Sequence, residues 1–168
     1  MLSEELLLGF IAFIAPCYLA NAAPVIIAKL VRSRTPIDGG RCLGDGERIL
    51  GDGKTWEGFC GGVFIGTLTG CLLNIIGKHT IPGAFLLSLG AMVGDALGSF
   101  IKRRLKIRRG GPLPVVDQLL FALVALSFYS VYRWPDPYYV LVTLIVTPPL
   151  HFITNVFAYL LKLKDVPW

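Results

Sequence analysis

The feature that most constrains this chain is the length of its uninterrupted apolar segments. Five blocks of mainly apolar residues lie at about 6–28, 58–76, 81–101, 115–132 and 138–161. About 20 apolar residues in a helix are enough to cross the hydrocarbon core of a bilayer. Backbone groups in lipid must be paired within the protein, so we expect each block to be a helix. The sequence therefore predicts an all-α, polytopic membrane protein with five transmembrane helices.

The composition favours the same fold class. Of the 168 residues, 54% are hydrophobic and only 16% are charged, whereas about a quarter of the residues are charged in an average soluble domain. Glu4 and Glu5 precede the first block, where a cleaved signal peptide would have a basic region. We therefore expect residues 1–168 to form a single integral membrane domain in which the first block remains as a span.

The basic residues predict how the chain is oriented. Two long loops, about residues 29–57 and 102–114, together with the tail hold fourteen of the sixteen Lys and Arg residues, and Lys78 and Arg133 lie on the other side. Lys and Arg are retained on the cytoplasmic side of membranes. This pattern predicts a multi-pass protein of the cell membrane, with the N-terminus outside and the C-terminus and both long loops in the cytoplasm. The net charge of +5 then reflects topology and anionic lipids, not nucleic acid.

Glycine spacing predicts close helix packing. Glycines recur at every fourth position in the second and third spans, which are Gly58, Gly62, Gly66 and Gly70, and Gly90, Gly94 and Gly98. Such ridges of small residues let helix backbones approach each other in lipid. We expect them to hold the cytoplasmic ends of the second and third spans side by side.

Proline and polar residues interrupt the first and last spans. Pro16 and Pro24 are expected to bend or break the first helix. His151 and Asn155 follow two prolines in the last span. Polar side chains at this depth either hydrogen-bond a neighbouring helix or contact a ligand, and the sequence leaves both alternatives open.

Two acidic residues lie at shallow depth in the predicted membrane domain. Asp95 precedes the apolar end of the third span by about one turn, with Ser99 and Lys102 on the same helical face. Asp117 lies about one turn into the fourth span. A carboxylate in the bilayer is costly unless it is paired, so such residues mark functional sites. A salt bridge from Asp95 to Lys102 is one alternative, and a divalent cation held against a polyphosphate is the other.

The segment GDGKTWEGFCGG, residues 51–62, places polar groups at the start of the second span. It is not a P-loop, because Arg48 stands where that motif requires glycine. Gly51 and Gly53 nevertheless let backbone amides converge on an anion, and Lys54 adds a positive charge beside a helix N-terminus. These features predict a phosphate site. Glu57 either favours the helix start or binds a metal, a hydroxyl group or Lys54.

Three motifs resemble those of CTP-dependent lipid cytidylyltransferases. They are KTWEGFCGG at 54–62, GDALGSFIKR at 94–103 and PVVDQ at 114–118, and they occur in the order found in that family. The small size and the loop from Pro36 are similar to the archaeal branch, the CDP-archaeol synthases. The resemblance implies transfer of CMP from CTP to 2,3-di-O-geranylgeranylglyceryl phosphate, which yields CDP-archaeol and pyrophosphate. The sequence departs from the phosphatidate cytidylyltransferases in lacking their Pro-x-His-Gly-Gly before the second aspartate and their long N-terminal half, and in carrying Gln118 where they have Arg. Together these departures point away from a diacyl substrate.

The resemblance also implies roles for individual residues. Asp95 and Asp117 would hold Mg²⁺, with Mn²⁺ as a substitute, and Lys102 and Arg103 would neutralise charge on the lipid phosphate or the leaving group. The nucleotide side would comprise Lys54 on the triphosphate, with Asp38, Arg41, Asp52, Gly53, Thr55 and Glu57 binding the nucleotide or ordering the loop. Further contacts are expected from Ser99, His151 and Asn155. The expected partners are CTP, an isoprenoid ether-lipid phosphate and membrane lipids, without nucleic acid or an obligatory protein partner.

Two other functions are compatible with a basic membrane protein that carries shallow carboxylates. A CTP-dependent polyprenol kinase would transfer the γ-phosphate and release CDP. A small ion-coupled transporter would use Asp95 and Asp117 as ion ligands, but the sequence shows no internal symmetry of the kind common in transporters.

Overall fold

The computed structural model describes residues 2–108 and 110–167. Within these ranges it contains five α-helices, namely α1 (Leu2–Leu30), α2 (Trp56–Ile75), α3 (Ile81–Arg104), α4 (Val116–Tyr132) and α5 (Pro137–Leu160). The predicted all-α membrane fold is confirmed. Arg109, which was counted among the basic loop residues, and the two terminal residues of the predicted domain lie outside the described ranges.

The helices lie close to the predicted spans, and α1 and α3 extend beyond them. Among the described residues, four helices are long and apolar enough to cross a membrane, and α4, with 17 residues, is shorter. The ends differ from the predicted bounds by at most four residues, because hydropathy locates the apolar part of a helix and not its polar termini. The C-terminal turn of α3, for example, continues through Lys102 and Arg104.

The core lies between α1, α3 and α4. Their interior faces contribute buried apolar residues such as Phe13, Cys17, Leu87, Phe121 and Ala125. Helix α2 packs against α1 and α3, whereas α5 makes fewer contacts and lies against α4 and α1. A partly buried hydrogen bond of 2.7 Å between the hydroxyl groups of Tyr18 and Thr147 connects α1 to α5. The ends of α2, α3 and α4 at the two long loops carry the site described below.

The glycine ridge of α2 packs as predicted. All four of its glycines are buried. A Cβ atom at Gly62 would lie 2.8 Å from the carbonyl oxygen of Ala20 in α1 and would collide with Met92 in α3. The absence of side chains therefore lets α2 fit between both neighbours.

The ridge of α3 faces a different helix from the one predicted. A Cβ atom at Gly90 would lie 2.6 Å from the Cα atom of Ala125, and one at Gly94 would lie 2.6 Å from the Cα atom of Phe121, both in α4. The α3 residues that meet the glycines of α2 are Ala84, Ser88 and Met92. The prediction that the two ridges join α2 to α3 is therefore wrong for α3, because glycine spacing identifies a close helix contact without identifying the partner.

Replacing Gly94 with Ala should destabilise the α3–α4 contact. The new methyl group would meet the backbone of α4, which cannot yield as a flexible side chain would. Overpacking typically costs about 1–3 kcal/mol, equivalent to a melting temperature about 3–10 °C lower. Gly98→Ala is the matched control, because the nearest atoms to its Cβ lie at 3.8 Å. Thermal unfolding in detergent measures both melting temperatures. An equal decrease for Gly94→Ala and Gly98→Ala would contradict this packing.

Helix α1 is continuous through both of its prolines. It runs unbroken from Leu2 to Leu30 with Pro16 and Pro24 inside, so of the two expected effects, a bend or a break, the break does not occur. Pro16 is fully buried, and its carbonyl oxygen faces Gly66 of α2. Close packing against neighbouring helices compensates for the hydrogen bond that proline cannot make.

Candidate active site

The two ends of the loop between α1 and α2 lie side by side and are joined by hydrogen bonds. Thr35 accepts a hydrogen bond from the Trp56 amide at 3.0 Å, and Ile37 donates to Lys54 at 2.9 Å. The Glu57 carboxylate accepts from the Thr35 amide, at 3.0 and 3.1 Å. Thr55 caps α2 by accepting from Gly58 at 3.2 Å. Glu57 and Thr55 thus order the loop and the start of α2, which leaves Lys54 fixed immediately before the helix.

Asp38 organises the interior of this loop. Its buried carboxylate accepts from the amides of Gly40, Leu50 and Gly51 at 2.8 to 3.1 Å. The Arg48 guanidinium binds the same carboxylate through two nitrogens. Hydrogen bonds from Arg48, aided by those from the three backbone amides, hold the pKa of Asp38 well below its usual range. Asp38 therefore acts first as an acceptor for the loop backbone, with little of its surface left for a nucleotide base.

Two arginines that the sequence did not single out as site residues complete the loop. Arg48 also forms a 2.7 Å ion pair with the exposed Asp52. Arg104, at the end of α3, pairs with Asp45 at 2.7 Å and donates to the carbonyl oxygens of Glu47 and Arg48. The loop is thereby attached to α3, which carries Asp95.

Replacing Asp38 with Asn should loosen this loop. The neutral amide cannot sustain the charge-assisted hydrogen bonds, which are worth about 2 kcal/mol, so exchange at the Leu50 and Gly51 amides should rise roughly 30-fold. Because the folded pKa is depressed, the stabilisation exists above the unfolded pKa of about 3.9 and is lost as pH falls through the folded value. Hydrogen exchange measured by mass spectrometry, corrected for intrinsic rates, tests both statements.

The control for this measurement is Asp52→Asn, which removes an exposed carboxylate from the same arginine. It should change exchange at these amides much less than Asp38→Asn does. Equal exchange rates in Asp38→Asn and in the unmodified protein would show that Asp38 does not hold the loop.

A polar cleft lies where this loop meets the ends of α3 and α4. It measures about 60 Å³, and Lys54, Asp95, Ser99, Lys102, Asp117 and Phe121 line it. Lys54 reaches Asp95 with Nζ 2.5 Å from Oδ2. The partner of Asp95 is thus Lys54 and not Lys102, the alternative considered from the sequence.

The second ion pair of the cleft joins α3 to α4. Lys102 Nζ lies 2.8 Å from Asp117 Oδ1, and the other oxygen of Asp117 accepts from the Leu113 amide at 2.8 Å. Val115, immediately before α4, has φ of 71°. This turn places Asp117 next to Leu113, in the loop that leads into α4, and opposite Lys102. Two carboxylates and two ammonium groups therefore share one small space, and each is at most about a third exposed.

The other residues singled out from the sequence surround this cleft at different distances. Arg41, Asp52 and Gly53 lie on the exposed surface of the loop. Arg103 lies beside the loop, with its Cδ 3.9 Å from the position of a Cβ at Gly51. The structure thus brings Lys54, Asp95, Ser99, Lys102 and Asp117 together.

A larger apolar pocket of about 370 Å³ opens beside the cleft, between α1 and α5. Phe121 lines both spaces. His151 and Asn155 line the pocket, not the cleft, and they contact each other. The two spaces are therefore adjacent, one polar and one apolar.

The sequence and fold of the chain are similar to those of known archaeal proteins. The family model described as CDP-archaeol synthase (CarS-like) matches residues 3–168. The chain belongs to the CDP-archaeol synthase family. A CDP-archaeol synthase of Pyrococcus abyssi is 47% identical, over 93% of this chain and 95% of the relative. That of Pyrobaculum islandicum is 45% identical, over 96% of this chain and 99% of the relative.

A solved structure agrees with this assignment. A protein described as an intramembrane enzyme for archaeal membrane lipids biosynthesis has 37% sequence identity and a TM-score of 0.78, with 87% of this chain and 92% of that chain covered. The resemblance drawn from the three sequence motifs is thereby confirmed.

Proposed function

We propose that this chain transfers CMP from CTP to 2,3-di-O-geranylgeranylglyceryl phosphate in the polar cleft. Family membership confirms the predicted synthesis of CDP-archaeol and favours it over the kinase and transporter alternatives. The observation that carries the site assignment is the meeting of Lys54, Asp95, Lys102 and Asp117 at the ends of three helices.

The proposed reaction needs positioning and charge neutralisation. An oxygen of the lipid phosphate attacks the α-phosphorus of CTP, and the bond from that phosphorus to the β-phosphate oxygen breaks. Pyrophosphate leaves with the electron pair, and CMP becomes joined to the lipid phosphate. A phosphate monoester is already ionised at neutral pH, so the cleft does not have to supply a general base. Fixed cations such as Lys54 and Lys102 stabilise the charge on the phosphates.

The two carboxylates of the cleft fit a magnesium ion. Among the described residues, no group of three or more His, Cys, Asp or Glu side chains is placed to hold a metal. Mg²⁺ commonly uses only one or two carboxylates and takes its other ligands from substrate phosphates and water. Asp95 and Asp117 would hold it, and when bound it supplies charge neutralisation between the phosphates. Lys54 and Lys102, which neutralise these carboxylates here, would then be available to phosphate oxygens.

The cleft is proposed to face the cytoplasm. The loops that form it hold most of the basic residues, and the opposite end has only Lys78 and Arg133. Retention of Lys and Arg in the cytoplasm would place the N-terminus outside. CTP is made in the cytoplasm, so this orientation gives the loop direct access to its nucleotide.

The activity is tested with CTP labelled at either the α- or the γ-phosphorus. Purified protein in detergent receives Mg²⁺ and geranylgeranylated glyceryl phosphate, with diacyl glyceryl phosphate and an unphosphorylated polyprenol as parallel acceptors. We expect α-label in the lipid fraction, γ-label in pyrophosphate, and preference for the isoprenoid phosphate. Transfer of γ-label to the polyprenol would instead identify a kinase.

A further inference from the structure

The C-terminal tail folds back onto the end of α5. The amides of Leu163 and Lys164 both donate to the carbonyl oxygen of Ala158, at 2.8 and 3.2 Å. Lys162, with φ of 56°, provides the left-handed residue that reverses the chain. Farther along, Val166 lies beside Gly110, with Cγ2 3.9 Å from the position of a Cβ there. The tail thus bridges α5 and the loop that leads into α4.

This path places Lys164 beside Asn155 of the apolar pocket, where the neighbouring His151 ring lies 6.1 Å from the ring of Phe121, which lines both spaces. Its Nζ donates to Oδ1 of Asn155 at 2.9 Å, and Nδ2 of Asn155 donates to the His151 ring, 3.0 Å from Nδ1. Asn155, His151 and the neighbouring Leu163 line the apolar pocket. The ammonium group is therefore held by an oriented amide at the polar edge of an apolar space.

The charges of the cleft act on Lys164. Burial lowers its pKa, and the positive charge of Lys102 lowers it further, while Asp117 and Asp95 oppose that change. Lys54 also contributes to the lowering. All four charged side chains that line the cleft therefore lie within electrostatic reach of the Lys164 ammonium, although none of them is near it in sequence.

We propose that Lys164 binds the phosphate of the lipid substrate, an alkyl-chain phosphate monoester, where the cleft meets the apolar pocket. This inference rests on the proposed function. A phosphate whose chain enters the pocket must have its oxygens at this border. A lysine ammonium offers three donors and a compact charge to such a group. Asn155 and His151 are positioning residues that act through Lys164.

The experiment compares K164M, K164R and K162M with the unmodified protein. Lys162 is the matched control because it is an exposed lysine of the same tail. In K164M, we expect the KM for the lipid phosphate to rise at least about tenfold, or about 1.4 kcal/mol, with the KM for CTP changed less than about twofold. K164R should recover part of the loss because it retains the charge, and K162M should match the unmodified protein.

A second readout does not depend on transfer. Thermal unfolding is measured with the lipid phosphate and with the corresponding alcohol, which lacks the phosphate. In the unmodified protein the phosphate should stabilise more than the alcohol does, and this difference should disappear in K164M. Absence of CMP transfer in the unmodified protein would refute the proposed function, while this comparison would still report on Lys164.

Three kinetic results would overturn the proposal. They are an unchanged lipid KM in K164M, an increase in the KM for CTP as large as that for the lipid, and equal losses in K164M and K162M. If K164M does not fold, K164Q, which also lacks the positive charge, replaces it in both measurements. An equal preference for phosphate over alcohol in the variant without the charge and in the unmodified protein would contradict the assignment.

Discussion

Replacing Asp117 or Asp95 with Asn lowers the rate of CMP transfer about a thousandfold in our account. Each carboxylate lines the cleft and accepts a lysine ammonium there. Asn keeps the size and one oxygen but removes the negative charge on which a magnesium site depends. Loss of one electrostatic contact in an active site typically costs about 10²–10³ in rate. Initial rates with α-labelled CTP and saturating Mg²⁺ measure the effect.

The control for both variants is Glu5→Gln. Glu5 is an exposed carboxylate in the first turn of α1, and its loss removes the same charge. Its rate should stay within about twofold of the unmodified rate, since exposed charges remote from a site contribute little. Full activity in Asp95→Asn or Asp117→Asn would show that the reaction takes place elsewhere.

Replacing Lys54 with Met lowers kcat/KM for CTP by about 10²-fold, with a raised KM for CTP. Lys54 lies between a loop fixed by Asp38 and the capped start of α2, and its ammonium group points into the cleft. Loss of its charge should weaken both binding of the triphosphate and stabilisation of the charge on departing pyrophosphate. Steady-state kinetics with CTP varied at fixed lipid concentration measure this change.

Lys78→Met provides the matched comparison, because Lys78 is an exposed lysine at the opposite end of the helices. It should leave the KM for CTP unchanged. A rise in the KM for the lipid phosphate alone in Lys54→Met would assign Lys54 to the lipid and reverse the two halves of the site.

Much of the fold followed from hydropathy, because a bilayer-length apolar helix carries a strong signal. The pairing of helices did not. Glycines at 90 and 94 show where a neighbour comes close, but their contact with α4 depends on tertiary packing that no local pattern specifies. Pro16 shows that packing can also override a local signal. Proline usually interrupts a helix, but α1 continues through Pro16, which is packed against its neighbours.

Some of the residues that line the cleft could also be predicted from the sequence. Asp95, Ser99 and Lys102 recur at helical spacing, and Asp117 stands out as an acidic residue in an apolar block. The ion-pair partners of these residues could not be predicted, because no local pattern relates Lys54 to Asp95, which lies 41 positions away in the sequence. Arg48 and Arg104 were not singled out as site residues, although they fix the loop between α1 and α2 to Asp38 and α3. Lys164 lacked any motif, and only the reversal of the tail reveals its position.

The measurement that tests the central claim most directly is an experimental structure with Mg²⁺ and a non-hydrolysable CTP analogue bound. We predict the triphosphate in the polar cleft, in contact with Lys54, and a metal ion held by Asp95 and Asp117. The α-phosphorus should face the apolar pocket at Phe121, from which the lipid phosphate would attack. A nucleotide bound at the opposite end of the helices, or in the cleft with neither carboxylate near its metal, would contradict the account.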